Sequence, residues 1–434
     1  MIGSFDETRR EATVIGAGIA GLLAAYALDR QGYEVTLLEG AARAGGLIQT
    51  RRNAYGIAET AAHSLLITPQ VAALCRELGV ELTEVRKSSR ARFILRAGKL
   101  RKFPLTFGEA ADALKHAAFA RGENHLETQD LETWGRRHLG AAAVEYLLTP
   151  FVRGIYGVQP CELGLAAAFP ELAIAPSRTL LGTMLRKALR GSKKHNHAAP
   201  HDQPKERRRM VAPRLGMGDL ATRLERRLEA RLGARFRRGV RVSDLPDAPN
   251  LVIATPADSA AQLLATDAPA LSQQLHAIKY TPLVTVTAFV ARDSFTRPIN
   301  GVGVLAAASE ARKCLGILFN SSAFAGRVQD ETRHASFTLL FGGSAQPHWL
   351  AASDEEIALA VRAELADILG VCGAPLELVI TRQPRGVPQY SAALPQVWQT
   401  ARATWCAQTG HVLFGNYTGQ VSLRGMIERA QAIN

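Results

Sequence analysis

The stretch from Ala12 to Glu39, ATVIGAGIAGLLAAYALDRQGYEVTLLE, decides the fold of this chain. A short apolar strand turns through Gly16-x-Gly18-x-x-Gly21 into an apolar helix, and a second strand ends on Glu39. This order predicts a βαβ unit that binds a dinucleotide. Gly16 permits the tight turn, Gly18 lets the backbone approach a pyrophosphate, and Gly21 allows close helix–strand packing. The helix N-terminus offers N–H groups and a partial positive charge to the phosphates.

The residues at and after the second strand favour FAD over a nicotinamide cofactor. Glu39 is placed to accept hydrogen bonds from ribose hydroxyls, and its charge disfavours a 2′-phosphate, which argues against NADP. The segment that follows, EGAARAGGLIQT, resembles the extended flavoprotein signature of the amine-oxidase superfamily through Arg43, Gly45 and Gly46. That resemblance implies a loop that wraps the ribose and the pyrophosphate of FAD, with Arg43 near the phosphates.

Composition limits the other classes of protein that this chain can be. Its 434 residues are 47% hydrophobic, which excludes wholesale disorder, and no run reaches the roughly 18 apolar residues of a spanning helix. The first residues do not have the pattern of a secretory signal, and five scattered cysteines argue against a disulfide framework. These features predict a cytoplasmic protein.

The period of the hydrophobic pattern changes along the chain and predicts an α/β protein with three parts. We expect a Rossmann-like FAD-binding domain assembled from separated segments, a mixed α+β substrate domain, and a helical domain of a membrane-binding type. The expected boundaries are 10–95, 214–260 and 386–434 for the FAD-binding segments, 261–385 for the substrate domain, and 96–213 for the helical domain, with a basic loop at 186–214.

The net charge of +13 favours anionic partners, and part of it is concentrated in the basic loop. Acidic lipid surfaces and polycarboxylate substrates are the partners that fit, because the loop lacks the aromatic interleaving and the modules of nucleic-acid binding. His195 and His197 are the only histidines at metal-ligand spacing, and they lie in this solvated loop. We therefore expect no metal site and no nucleic-acid partner, and no catalytic acid–base pair is recognised.

Beyond the FAD signatures, the chain resembles the protoporphyrinogen oxidase family of the amine-oxidase superfamily. The most specific matches are PFVRGIYG at 150–157, LFNSSAF at 318–324 and FGGS at 341–344. The resemblance implies oxidation of a tetrapyrrole porphyrinogen by hydride transfer to flavin N5, with molecular oxygen as the acceptor. It also implies peripheral attachment at the inner face of a membrane, and it leaves room for a homodimer.

The resemblance assigns roles to individual positions. Arg92 matches the arginine that binds a propionate of the substrate, and its planar guanidinium suits a carboxylate. The backbone of Val242 is the expected adenine contact, and backbone N–H groups of Val421, Ser422 and Leu423 are expected to face the flavin or the pyrophosphate. The matching ring-lining positions, most of them small or apolar as a flat macrocycle requires, are Gly154, Val302, Gly303, Leu305, Leu340 and Val387.

The chain departs from the family pattern beside the expected flavin. Ala61 and Ala62 replace a Gly-Pro pair, and Gln420 stands where a glycine is expected. Two alternatives therefore stay open: another FAD-dependent amine oxidase or desaturase, and a non-enzymatic flavin protein on a membrane. An amine oxidase normally has an aromatic cage at the flavin, and the spacing of the candidates gives no clear cage; they are Tyr390, Trp398, Trp405 and Tyr417.

Overall fold

The computed structural model of the protein describes residues 1–123, 128–193, 209–295 and 298–433. Most of the predicted basic loop, including His195 and His197, lies outside the described residues.

The described residues form fifteen helices and seventeen strands, with 3-10 and π turns between some of them. The helices are α1 Ile19–Arg30, α2 Pro69–Glu77, α3 Phe107–Phe119, α4 Leu131–Leu139, α5 Ala141–Ala143, α6 Thr149–Tyr156, α7 Leu165–Ala168, α8 Leu180–Lys193, α9 Met217–Leu232, α10 Ala257–Leu263, α11 Pro269–His276, α12 Asn320–Ala323, α13 Asp354–Glu364, α14 Leu394–Ala403 and α15 Leu423–Gln431. The strands are β1 Glu11–Ile15, β2 Glu34–Glu39, β3 Thr50–Arg52, β4 Ile57–Glu59, β5 Leu65–Leu66, β6 Leu82–Glu84, β7 Arg92–Arg96, β8 Lys99–Arg101, β9 Met210–Pro213, β10 Phe236–Arg238, β11 Leu251–Ile253, β12 Tyr280–Ala291, β13 Gly303–Ala306, β14 Gly316–Leu318, β15 His334–Gly342, β16 Glu377–Pro388 and β17 His411–Leu413.

A five-stranded parallel sheet holds the predicted βαβ unit. Its strand order is β10-β2-β1-β11-β17, so strands from the start, middle and end of the chain pair in one layer. Strand β1 lies at the centre, and Val14 is opposite both Leu37 and Val252. Because both faces of the inner part of this sheet are covered, β1, β11 and β17 are short strands of mostly buried residues, whereas the edge strand β10 carries two arginines. The strand pairing shows that this layer is assembled from separated segments of the chain.

A seven-stranded mixed sheet forms the second layer, in the order β16-β12-β15-β14-β13-β7-β8. One of its faces packs on α13 through alternating apolar residues that include Val284, Val286 and Leu339, with Ile357 on the helix. The opposite face carries smaller and more polar side chains. That second face is called here the open face of the sheet. It carries five of the predicted substrate residues, among them Leu305 and Leu340.

Helices α3 to α8 form the helical part of the chain. Within the described ranges, no helix combines the length and the hydropathy that a membrane span needs. The fold is therefore an α/β fold with mixed sheets and helices, and the membrane-binding character of the helical part stays a prediction.

Two local features differ from the sequence-based expectations, and one agrees closely. The resemblance to the family implies a strand over VRVSDL at 240–245, and this prediction is wrong. Strand β10 ends at Arg238, and the next residue, Gly239, takes a left-handed φ of +71° that does not continue a strand. Strand β16 runs without a break across the predicted boundary between 385 and 386. The pattern of Ser353 with Glu356 three residues on predicts a capping box at the start of α13, and the structure confirms it: each side chain accepts a hydrogen bond from the other residue's backbone N–H.

Candidate active site

The first glycine turn has the geometry that the motif predicts. Gly16 adopts φ +97°, and a Cβ added to Gly21 would lie 1.8 Å from the carbonyl oxygen of Gly16, so no side chain fits there. Gly18 is different, because a Cβ at that residue would meet no atom within 4 Å. Gly18 is also the N-cap of α1 and has no side chain to satisfy the free N–H groups of the first turn. The turn therefore leaves an open space at a helix N-terminus that suits a pyrophosphate.

The carboxylate of Glu39 connects the two loops around this space. One of its oxygens accepts a hydrogen bond of 2.6 Å from the backbone N–H of Ala17, and the other accepts one of 2.8 Å from Ala41. Glu39 thus fixes the glycine turn and its own loop in one orientation, which the sequence did not predict. Its contact with ribose hydroxyls stays a prediction.

The second glycine loop lies directly against the first. Gly45 donates a 2.8 Å hydrogen bond to the carbonyl of Ala17, and a Cβ on Gly46, which has φ +58°, would lie 3.1 Å from Cα of Gly18. Arg43 donates to the carbonyls of Ala44 and Gly46 at 2.7 and 2.8 Å. Arg43 therefore braces its own loop while placing a positive charge beside the open space.

The C-terminal segment delivers a second helix N-terminus to the same layer. Helix α15 follows β17 and packs on α1, and Ser422 caps it by accepting a 3.1 Å hydrogen bond from the N–H of Gly425. Gln420, the residue that replaces a glycine, folds back over this turn: a Cβ on Gly425 would lie 1.9 Å from its amide oxygen. Val421 and Leu423 flank the cap. The glycine substitution is thus accommodated by a side chain that lies along the helix.

A buried ion pair joins the FAD-binding layer to the second sheet. Glu59, at the end of β4, lies 3.4 Å from Arg327, and both side chains are less than one-tenth exposed. Glu59 also accepts hydrogen bonds of 2.9 Å from the N–H of Met217 and 2.7 Å from the hydroxyl of Thr50. The pair therefore holds the start of α9 against β3 and β4. Neither residue was singled out from the sequence, because nothing local marks a charged residue as buried.

A cavity of about 80 Å³ lies beside this pair, lined by His63, Asn320 and Val302 among others. The Nε2 atom of His63 is buried without a hydrogen-bond partner among the described residues. Burial, assisted by the nearby charge of Arg327, lowers the pKa of His63 to about 4, so its imidazole is neutral at pH 7. Of the predicted substrate residues, Val302 is the one that lines this cavity.

Five of the other predicted substrate residues share the open face of the seven-stranded sheet. Gly303 and Leu305 are two residues apart on β13 and therefore point to the same face. Arg92 on β7 lies opposite Gly303. Leu305 lies opposite Gly316 on β14, which in turn lies opposite Leu340 on β15. On the far side of this face, Val387 pairs with Thr281. Residues that lie opposite each other in a sheet point to the same face. The structure therefore brings together Arg92, Gly303, Leu305, Leu340 and Val387.

Helix α6 packs against part of this face, at Leu305 and Thr281. A Cβ on Gly154 would lie 2.5 Å from Leu305, and one on Gly157 would lie 2.8 Å from Thr281. The sequence missed two residues here, Thr281 and Thr285, whose buried hydroxyls have no partner among the described residues. These two hydroxyls are polar atoms of the face that could accept or donate a further hydrogen bond.

Several of the residues predicted to contact FAD lie close together, and their binding of FAD stays a prediction. The N-terminus of α1, two interlocked glycine loops and the Glu39 carboxylate surround the open space at Gly18. The backbone N–H groups suit a pyrophosphate, and a carboxylate suits the hydroxyls of a ribose. Val242 lies in the irregular segment after β10 rather than on a strand, although Gly239 and Val240 still bond the loop of Glu39. The fold and the site together define an oxidoreductase of the flavin-binding class.

Comparison with known proteins identifies the family. Residues 19–430 match the family described as flavin containing amine oxidoreductase, and the chain belongs to it. The family confirms the predicted FAD cofactor and an oxidoreductase activity.

Individual relatives cover almost the whole chain. Protoporphyrinogen oxidase 2, chloroplastic/mitochondrial, of Arabidopsis thaliana is 24% identical over 463 residues, which is 95% of this chain and 91% of the relative. Coproporphyrinogen III oxidase of Bacillus subtilis (strain 168) is 22% identical over 476 residues, which is 98% of this chain and 97% of the relative. A solved structure from Exiguobacterium sp. 255-15, provisionally named a protoporphyrinogen oxidase, has a TM-score of 0.74 at 21% identity. The match covers 99% of this chain and 98% of that one. These findings confirm the resemblance to the protoporphyrinogen oxidases.

Proposed function

We propose that the protein oxidises a porphyrinogen to a porphyrin, with protoporphyrinogen or coproporphyrinogen as its substrate. The relatives named for these reactions support the proposal, because they match nearly the full length of the chain. The observation that carries it is the open face of the sheet, where Leu305 and Leu340 offer an apolar surface and Arg92 lies at the edge. A flat apolar macrocycle with carboxylate side chains needs this combination.

The side chains of the site would bind and orient such a substrate. The chemistry that FAD supplies when bound is acceptance of a hydride at N5, with oxygen as the expected acceptor for its reoxidation. Arg92 would hold a propionate, and Leu305 and Leu340 would exclude water from the ring. Gly154 lets α6 approach Leu305 closely, and Gly303 lets β13 lie close to the backbone of Ile317. This assignment needs no catalytic acid–base pair, in agreement with the sequence.

Anaerobic mixing tests the reaction class directly. With the purified holoenzyme, protoporphyrinogen or coproporphyrinogen is expected to bleach the flavin absorbance. Admission of air is expected to yield porphyrin fluorescence faster than autoxidation. Replacing Arg92 by methionine should raise KM by about tenfold with little change in kcat, because it removes a charge-assisted hydrogen bond. The KM of Arg92→Lys, which keeps the charge, should lie between those of the wild type and of Arg92→Met.

The same experiment distinguishes a porphyrinogen oxidase from the alternative of an FAD-dependent amine oxidase. Bleaching by primary or polyamines, with no response to either porphyrinogen, would identify an amine oxidase and refute the proposal. The aromatic candidates for an amine-binding cage argue against that outcome, because Tyr390, Trp405 and Tyr417 are buried in a core cluster. Tyr390 donates to the carbonyl of Asn416 at 2.5 Å, so its hydroxyl is already used.

We also propose that the helical part contacts an acidic membrane surface. The observation in favour is α3, which buries none of its residues completely and leaves Phe107 98% exposed, together with Leu114 and Phe119. Exposed apolar patches of this kind mark interaction sites, and an amphipathic helix with basic neighbours can lie in a lipid interface. The further exposed residues of this surface are Phe103, Lys102, Lys115, Met184, Leu185 and Arg186.

Vesicle sedimentation tests the membrane proposal. The wild-type protein is expected to bind vesicles that contain anionic phospholipid, less so at high salt, and to bind neutral vesicles poorly. Phe107→Asp combined with Leu114→Asp should abolish most of this binding. Leu359→Asp is the matched control, since Leu359 is 68% exposed on α13 in the other layer. Equal binding of the double variant and the control would refute the proposal.

A further inference from the structure

Arg153, on α6, is a buried arginine without a partner. The residue is 7% exposed, and its Nε atom is fully buried without a hydrogen bond. Among the described residues, this Nε atom has no hydrogen-bond acceptor, and the charges that interact with the guanidinium are those of Glu145 and Cys314. Arg327 shows what a buried arginine normally has, because it pairs with Glu59 and donates to the carbonyl of Pro213 at 2.8 Å.

An unpartnered buried guanidinium is unfavourable for the folded protein. Arginine does not lose its proton in proteins, so it cannot avoid the cost of burial by becoming neutral. Burial lowers the pKa of Arg153, and the attraction of Glu145 and Cys314 opposes this only in part. A buried charge is retained at this cost only where something compensates it, and an anion that binds during function is one such compensation.

The position of Arg153 indicates which anion this would be. Its neighbour Gly154 lies against Leu305 on the open face of the sheet. Cys314, whose charge interacts with Arg153, lies two residues before β14 and donates to Glu364 of α13, so the side chain of Arg153 lies near the end of the sheet where β14 begins. Arg92 points to the same open face, opposite Gly303 and two residues from Leu305 along β13. Gly303, opposite Arg92, and Leu305, against Gly154, are thus roughly 7 Å apart along the strand, a backbone distance within the width of a tetrapyrrole.

We propose that Arg153 is a second carboxylate-binding residue of the substrate site, so that Arg92 and Arg153 each hold one carboxylate of the same tetrapyrrole. The inference rests on the proposed function and deepens it, because it makes the number and spacing of carboxylates a determinant of specificity. Binding of the substrate then supplies the partner that the folded protein lacks at Arg153. A substrate with a single carboxylate, or with its carboxylates esterified, leaves this guanidinium unsatisfied and binds poorly.

Stability and ligand binding should respond in opposite directions to the loss of this charge. Arg153→Met keeps the length and the packing of the side chain, so the variant should retain its FAD and unfold at the same temperature as the wild type or higher. Its affinity for a dicarboxylate porphyrin, measured by absorbance titration without turnover, should fall by roughly tenfold to a hundredfold. Arg153→Lys should recover part of the affinity. The dimethyl ester of the same porphyrin should bind the wild type and Arg153→Met equally weakly.

The outcomes separate this inference from the proposed function. If the wild type binds and oxidises the porphyrin compounds and Arg153→Met binds the dicarboxylate as tightly, Arg153 has no role in recognition and the inference is wrong. If Arg153→Met unfolds at a clearly lower temperature, as a purely structural arginine would, the inference is also wrong. If the wild type neither binds a porphyrin nor oxidises a porphyrinogen, the proposed function fails and the inference fails with it.

Discussion

Replacing Gly21 by alanine is expected to yield a protein that is strongly destabilised and purifies without flavin. The added Cβ would lie 1.8 Å from the carbonyl oxygen of Gly16 and 2.9 Å from its carbonyl carbon, both of them backbone atoms that no side-chain rotation can move. Overpacking of this kind costs about 1–3 kcal/mol, and more where backbone must shift. Because α1 packs on β1 through this contact, the glycine turn itself should be displaced. Flavin absorbance after purification and thermal unfolding measure the two effects.

Gly18→Ala is the informative control for that variant. Its Cβ would meet no atom within 4 Å in the protein, so the variant should fold with wild-type stability. It should nevertheless bind FAD about tenfold more weakly or worse, since the open space is where the backbone approaches the pyrophosphate. Gly108→Ala, at another position with open space and on the exposed α3, should change neither property. Tight FAD binding by Gly18→Ala would show that the phosphates lie elsewhere.

The elements that the sequence predicts well are those fixed by local pattern. The βαβ unit from Glu11 to Glu39 was predicted because its apolar strands, its glycine turn and its terminal acid are contiguous in the chain. The capping box at Ser353 is local for the same reason. The apolar runs LVTVTAFV, CLGILFN and SFTLLFGG predict three strands of the substrate domain, and they contain β12, β14 and β15 at least in part.

What the sequence could not supply depends on contacts between distant segments. The parallel pairing of β7 with β13 places Arg92 opposite Gly303, and neither strand carries any mark of the other. Arg153 is similar: its motif was noticed as a family signature, whereas its burial without a counter-charge follows only from the packing of α6 on the sheet. The strand over VRVSDL, implied by the resemblance to the family, was wrong because Gly239 turns the chain at the end of β10.

The cluster around Glu59 leads to the second prediction with a large effect. Arg327→Met is expected to lower the free energy of unfolding by about 3–5 kcal/mol, because it leaves Glu59 buried without its counter-ion. The same variant should bind FAD less tightly, since Glu59 holds the N–H of Met217 at the start of α9. Urea unfolding of the apoprotein and FAD titration measure these two quantities separately.

The pH dependence of this loss identifies its cause. Burial raises the pKa of Glu59 above its usual range, and removal of Arg327 removes an interaction that opposes the rise. A carboxyl whose folded-state pKa exceeds its unfolded-state pKa binds more protons when folded, so stability falls as pH rises through that window. Arg327→Met should therefore be closer to the wild type at about pH 5 than at about pH 8.

The double variant Glu59→Gln/Arg327→Met completes the cycle. With neither charge present, it should recover part of the lost stability and lose the added pH dependence, giving a coupling energy of about 1–3 kcal/mol between the two positions. The residual loss reports the hydrogen bonds to Met217 and Thr50, which a glutamine can only partly replace. If the double variant is as unstable as the sum of its single variants, Glu59 and Arg327 act independently. The contrast with Arg153, whose removal should not destabilise the fold, then loses its physical basis.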